Sequence, residues 1–154
     1  MTTHAPSKIL AKQWLQAYQF APVFVAPLIL LGASSNAILA YLVPKSSRRF
    51  PLYAAATVLN AIIIPYTALY MEPGINGAGK WKAQKLLRDE GFTLNGRGAG
   101  TDKDTARESA KEWADKVDIK TIAETRARTN AWRYLITAVS TIVIGTAAIM
   151  ETRR

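Results

Sequence analysis

Charge is strongly segregated along this chain of 154 residues. No charged residue occurs between Lys12 and Lys45, none from Phe50 to Met71, and none from Tyr134 to Met150. The middle run, FPLYAAATVLNAIIIPYTALYM, has 22 residues. At about 1.5 Å rise per residue, a helix of that length crosses the roughly 30 Å hydrocarbon core of a bilayer. The three runs predict an all-α membrane helical bundle with spans at approximately 22–43, 50–71 and 133–150. Residues 72–132 then form a charged extramembrane insert with amphipathic helices, and 1–154 is a single membrane domain.

A hydrophobic content of 49% would also suit a soluble domain, so the segregation and not the average decides the class. The net charge of +9 does not indicate nucleic acid. The insert carries twelve Lys/Arg against ten Asp/Glu, and the excess lies in short flanks: Lys8, Lys12, Lys45, Arg48, Arg49, Arg153 and Arg154. Such residues border membrane spans and meet anionic headgroups. Cysteine is absent, which excludes disulfides, thiolate metal sites and cysteine nucleophiles. His4 is the one histidine, so neither a multi-histidine metal site nor a Ser-His-Asp triad can be assembled from one chain. The first apolar run starts late and is too long for the core of a cleavable signal.

Residues 1–8 read as a lead-in. From Ile9 an amphipathic pattern places Ile9, Leu10, Trp14, Leu15 and Tyr18 on one face, an interfacial helix entering the membrane. Pro22 suits a helix start and Pro27 a tolerated kink. The small and hydroxyl side chains of Gly32-Ala33-Ser34-Ser35-Asn36-Ala37 predict a face buried against protein, with Asn36 hydrogen-bonded. The proline-bounded turn Pro44–Pro51 makes the first two spans antiparallel neighbours. Lys80–Arg88 reads as a basic amphipathic segment lying at a surface, and Gly91–Thr101, with four glycines, as a flexible loop. A helix capped by Thr101 or Asp102 should follow, with Ala106, Ala110, Trp113 and Val117 as its apolar stripe and a solvated opposite face. Asp118, Thr121 or Thr125 would interrupt it before the last helix. Three spans leave the amino terminus and the insert on one side. The short basic Lys45–Arg49 loop and the carboxyl terminus lie on the other, which is favoured as cytoplasmic.

Three landmarks go beyond generic membrane features. They are Lys12-Gln13-Trp14 with Tyr18 and Pro22; Tyr53-Ala54-Ala55 leading to Ile64-Pro65-Tyr66-Thr67 and Met71-Glu72-Pro73 with Asn76; and Asn130 with Arg133. In this order and spacing the chain resembles the anthrone oxygenase-like family of small integral membrane proteins of polyketide pathways, over Leu10–Asn76 and Arg126–Met150. That family looks like a four-helix membrane bundle with a further helix ahead of the Gln-Trp segment, so one helix of the bundle is expected to be missing here. The charged Gly91–Arg128 region is more hydrophilic than the pattern implies.

The resemblance implies oxidation of an anthrone to an anthraquinone by molecular oxygen as co-substrate, with no metal or flavin cofactor, in secondary metabolism. Such chemistry needs an apolar slot for a flat ring system, a proton acceptor and a group to stabilise an oxyanion. The candidates on that reading are Glu72 as base, with Arg133 and Asn130 stabilising the anion. Asn60, Tyr66 and Thr67 would bind substrate, and Trp14 and Tyr18 would cover the ring. Each residue alone has a plainer role: Arg133 as a snorkelling anchor, Asn60 as an interhelical hydrogen bond, Tyr66 as an interface aromatic, Glu72 as a helix-end charge. The expected partners are the lipid bilayer, a hydrophobic aromatic small molecule and a second copy in a homo-oligomer, but not nucleic acid. The expected location is a multi-pass integral membrane protein, in an endomembrane if the source is eukaryotic. The rival is a non-catalytic membrane accessory subunit, or a degenerate relative, that binds lipid or a partner.

Overall fold

The computed structural model describes residues 6–152. His4, Arg153 and Arg154 lie outside the described residues, as does most of the expected lead-in. Helix α1 spans Ser7–Leu42 and α2 spans Arg49–Pro65. The chain continues as a wide-turned, π-helical segment, Tyr66–Asn76, and then as α3, Gly77–Leu87. A short 3₁₀ turn at Arg88–Glu90 precedes a loop, α4 spans Glu108–Lys116, and α5 spans Ile119–Thr152. Among the described residues no strand forms, and a single bridge joins Arg97 to Asp104. The helical runs Ser7–Leu42, Arg49–Glu90 and Ile119–Met150 are long and apolar enough to cross a membrane.

Several boundaries differ from expectation. Pro22 does not start a helix, because α1 is already helical from Ser7 and runs through Pro22 and Pro27. The first turn is set by the Pro6 carbonyl, which accepts the amides of Ile9 and Leu10. A proline removes one donor and leaves one carbonyl open, a cost that a long apolar helix absorbs. The insert helix begins not at Thr101 but at Glu108, because the preceding residues are committed elsewhere. Asp104 Oδ1 accepts the Ala106 amide at 3.1 Å, and the Arg107 amide donates to Pro73 O at 3.0 Å. The expected interruption before the last helix falls at Val117–Asp118, where Asp118 accepts the Thr121 amide at 2.7 Å and caps α5, while Thr121 and Thr125 lie inside that helix.

The chain divides into two compact units, residues 6–23 with Tyr66–Thr129 and residues 24–65 with 130–152. The first has a core. Ala11, Trp14, Leu15 and Tyr18 of α1 pack with Ala83 and Leu87 of α3 and Ile119 of α5. Alongside them Ala78, Ala110, Ala114 and Ile122 form a small-residue cluster with Trp81, Trp113 and Val117 partly buried on it. Two glycines permit this closeness. A Cβ on Gly79 would stand 2.0 Å from Trp14 Cζ2, and one on Gly77 would stand 2.6 Å from Ala106 Cα. Lys8 pairs with Asp89 and Lys12 with Glu90, tying the start of α1 to the 3₁₀ turn. The Gly91–Thr101 loop is held by backbone bonds from Asn95 N to Asp102 O and from Asp104 N to Gly96 O, both at 2.8 Å. The α4 face expected to be only solvated is used for docking. Asp115 accepts Trp81 Nε1 at 3.1 Å and Lys85 Nζ at 2.8 Å, and Lys111 pairs with Asp104 at 2.7 Å.

The second unit is built the other way round. Its large apolar side chains point outward, with Leu28, Leu31, Ile38, Leu42, Val58 and Ile142 exposed. Its interior holds Asn36, Tyr53, Ala56, Ile63, Ser140 and Ala147. Asn36 is buried as the sequence requires, but it satisfies itself within its own helix, donating to Gly32 O at 2.8 Å. Ser34, Ser35 and Ala37 are exposed, so the small-residue face is buried only in part. Gly32 has room for Asn60, whose Nδ2 lies 3.5 Å from where a Cβ would stand. The turn at Pro44–Pro51 is closed by Ser47 N to Pro44 O at 2.8 Å.

Candidate functional site

The geometry that stands out in the first unit is centred on Glu72. The π-helical segment ends in a break at Gly74, where φ and ψ are −95° and −108°, next to Pro73. A break of this kind frees carbonyls that a regular helix would use. The insert loop supplies the missing donors: the Arg107 amide to Pro73 O, and Thr105 Oγ1 to Glu72 O at 3.3 Å. The π-helical turns and the break thus fix the Glu72 side chain against α1, α3 and the loop.

The Glu72 carboxylate accepts four side-chain hydrogen bonds. Tyr18 Oη donates at 2.6 Å, Lys80 Nζ at 2.8 Å and Asn76 Nδ2 at 3.1 Å, and Thr105 Oγ1, 3.0 Å away, shares its one proton between the carboxylate and Glu72 O. Lys80 is 0% exposed and gives a further bond to Gly100 O at 3.2 Å. A lysine taken out of water in this way is tolerable only because a carboxylate meets it. The Tyr18 ring lies parallel to Trp14, with centroids 5.3 Å apart. Two cations stand against it, Lys80 Nζ at 5.3 Å and the Arg126 guanidinium at 5.8 Å, the latter also 5.1 Å from the Trp14 ring. Two buried polar atoms here have no hydrogen-bond partner, the donor Trp14 Nε1 and the acceptor Asn76 Oδ1. Buried polar groups are rarely left so, and such a pair suits a bound molecule or water.

Of the residues expected from the sequence, the structure brings Trp14, Tyr18 and Glu72 together. Tyr66 belongs to the same unit, stacked on Tyr70 with centroids 5.4 Å apart and donating to Thr129 O at 3.2 Å, and Thr67 follows it half-buried. Neither is among the four groups that donate to Glu72. Asn60, Asn130 and Arg133 belong to the second unit. There Arg133 donates to Asn130 Oδ1 at 3.0 Å, and Asn60 is half-buried beside Gly32. Lys80 was expected at a surface and is instead the most deeply buried cation of the cluster. Its signal was present as the spacing Glu72, Asn76, Lys80, two steps of four that return to one helical face. Thr105 and Arg126 join from distant sequence, which no local spacing announces.

Outside the cluster, the Lys85 ammonium hydrogen-bonded to Asp115, helped by the Trp81 indole, holds that carboxyl below the usual carboxylate range. Among the described residues no three histidine or carboxylate side chains converge as metal ligands.

Comparison with known proteins adds one finding. The model of the anthrone oxygenase family matches residues 14–143. That span includes Trp14, Tyr18, Glu72, Asn76, Lys80 and Arg126. No curated protein and no solved structure matches the chain.

Proposed function

The chain belongs to the anthrone oxygenase family, and on that premise we propose that it is a cofactor-independent oxygenase converting an anthrone-like polycyclic phenol to its quinone with molecular oxygen. The observation that carries this reading is the family match over most of the chain. The Glu72 cluster supports it in part, because it supplies a carboxylate as proton acceptor and two cations.

The substrate methylene lies between two aromatic rings and opposite a carbonyl, so loss of one proton gives an extended phenolate-type carbanion. On this reading Tyr18 passes that proton to Glu72, to which its hydroxyl already donates. Lys80 and Arg126 stand against the Tyr18 ring and stabilise negative charge arising there. Lys80, Asn76 and Thr105 hold the carboxylate in place. The carbanion transfers an electron to oxygen, and the radical pair combines to a peroxide on the same carbon. Loss of the second proton with cleavage of the O–O bond then gives the carbonyl and water. One oxygen atom enters the quinone and the other leaves in water, so no external reductant is required. Trp14 Nε1 and Asn76 Oδ1 provide an open donor and an open acceptor for the oxygen functions of such a molecule.

Protein in nanodiscs, given a dihydroxyanthrone in air-saturated buffer, should consume oxygen and form quinone in equal amounts, faster than protein-free nanodiscs. Tyr18→Phe keeps the ring and removes the proton path, and should lower kcat about a hundredfold. Arg133→Ala measures what the Asn130–Arg133 pair contributes. A wild-type rate equal to the spontaneous one would leave the non-catalytic accessory role as the better account.

A further inference from the structure

The first unit holds a second feature that the oxygenase reading does not use. A cleft of about 240 Å³ opens beside the Gly74 break, lined by Tyr70, Gly74 and Ile75, by Arg107, Ser109, Ala110 and Trp113, and by Thr125 and Thr129. Its walls are rich in donors that are not spent. Among the described residues, the Tyr70 hydroxyl, the Arg107 guanidinium, the Ser109 hydroxyl and the Trp113 indole N–H have no hydrogen-bond acceptor. Thr125 and Thr129, by contrast, already donate to the carbonyls of Thr121 and Thr125 at 2.8 and 2.9 Å. No carboxylate lines the cleft. Arg107 lies over Gly74, its Nη2 3.5 Å from where a Cβ would stand. A cavity offering a guanidinium and several neutral donors, with no negative charge of its own, fits an anion rich in acceptor oxygens.

Position along the chain says which anion. Tyr70 is the last residue but one of the uncharged run Phe50–Met71, and its neighbour Leu69 is 78% exposed. Thr129 lies four residues ahead of Arg133, which heads the run Tyr134–Met150. The walls are therefore drawn from places where apolar stretches give way to polar ones, the level at which Tyr and Trp side chains meet lipid headgroups. We propose that this cleft seats the phosphate of an anionic phospholipid. The Arg107 guanidinium takes two phosphate oxygens as a fork, and the Tyr70 and Ser109 hydroxyls and the Trp113 N–H bond the remaining oxygens. The cleft is small for a whole lipid and of a size for a headgroup, so the acyl chains stay outside, against apolar surface such as Leu69. This site is independent of the oxygenase reading and stands or falls without it.

The test is native mass spectrometry of the full chain in detergent, titrated with phosphatidylglycerol, phosphatidylcholine or inorganic phosphate. Wild-type protein should retain phosphatidylglycerol in preference to phosphatidylcholine, whose choline cation would face Arg107. Arg107→Met should weaken that binding about tenfold or more, since a charge-assisted pair is removed. Arg88→Met removes an exposed arginine outside the cleft and should change nothing. A melting curve for each variant establishes that it is folded, and Tyr70→Phe, which removes one donor only, should weaken binding by a smaller factor. Equal binding by wild type and Arg107→Met overturns the proposal, as does an equal loss in Arg88→Met, which would mean attraction by net charge alone. Displacement of the lipid by inorganic phosphate at comparable concentration would show a free-phosphate site and overturn the lipid assignment.

Discussion

The two units solve opposite problems with one alphabet. In the first, Trp14, Tyr18, Leu87, Ile119 and Ile122 are hidden in a core, and the buried charge of Lys80 is answered by Glu72. In the second, Leu31 is 65% exposed, while Asn36 and Ser140 are inside. That inversion is what a hydrocarbon surround selects, because lipid gives no reward for hiding a leucine, whereas small and polar side chains let helices approach. The two units thus differ in what they hide: the first buries aromatic and aliphatic side chains and a paired charge, the second small and polar ones.

The largest expected effect comes from breaking that pairing. Glu72→Gln leaves the Lys80 ammonium buried without its counter-ion and should cost about 3–5 kcal/mol by denaturant melting in detergent. Lys80→Met, which leaves a half-buried Glu72 still bonded by Tyr18, Asn76 and Thr105, should cost less. The double variant removes both charges and should regain most of that loss. If each single change proved as harmless as an ordinary surface substitution, the first unit would not depend on a buried ion pair.

The solvent contrast gives the next effect. Leu31→Arg places a charge on a face assigned to lipid and should cost about 2.5–3.5 kcal/mol of insertion free energy, read as the inserted fraction in microsomal membranes. Ile9→Arg, also on an exposed position but in the first unit, should insert as wild type does. Equal outcomes would erase the distinction between the units.

A smaller change probes packing. Gly79→Ala drives a methyl group into the Trp14 ring and should destabilise by about 1–3 kcal/mol while displacing the Trp14–Tyr18 stack, seen as a change in near-ultraviolet circular dichroism. The smallest effect concerns the docking of α4. The carboxyl of Asp115 is depressed by its bond from Lys85, so the stabilisation it gives is fully present above the ordinary carboxylate pKa and is lost as pH falls through the lower folded value. Because the pair is exposed, hydrogen exchange in α4 should quicken only slightly at acid pH, by at most a few tenths of a kcal/mol, and Asp115→Asn should abolish that dependence.

Much of this architecture was legible because uncharged length is a coarse and robust signal. The runs around Leu31, Ile62 and Ile142 announced helices that can cross a membrane. The breaks were less legible. Pro22 and Pro27 look like boundaries in a sequence, yet a long apolar helix continues through them, and the start of α4 was set by Pro73 and Asp104 and not by local capping residues. At the site, Glu72, Tyr18 and Trp14 were visible through their order in the chain. Lys80 was misread because a lysine in an amphipathic segment ordinarily faces solvent, and only the fold shows the carboxylate that draws it inside. Thr105 and Arg126 reach the cluster through contacts between distant segments, which no periodicity encodes.

The most direct test of the proposed oxygenase centre compares quinone formation from a dihydroxyanthrone by wild-type protein and by the Glu72→Gln/Lys80→Met double variant, both in nanodiscs and both shown to be folded by their melting curves. The account predicts a wild-type rate well above the protein-free control and a double variant reduced to that control. A folded double variant that oxidises the anthrone as fast as wild type would contradict it.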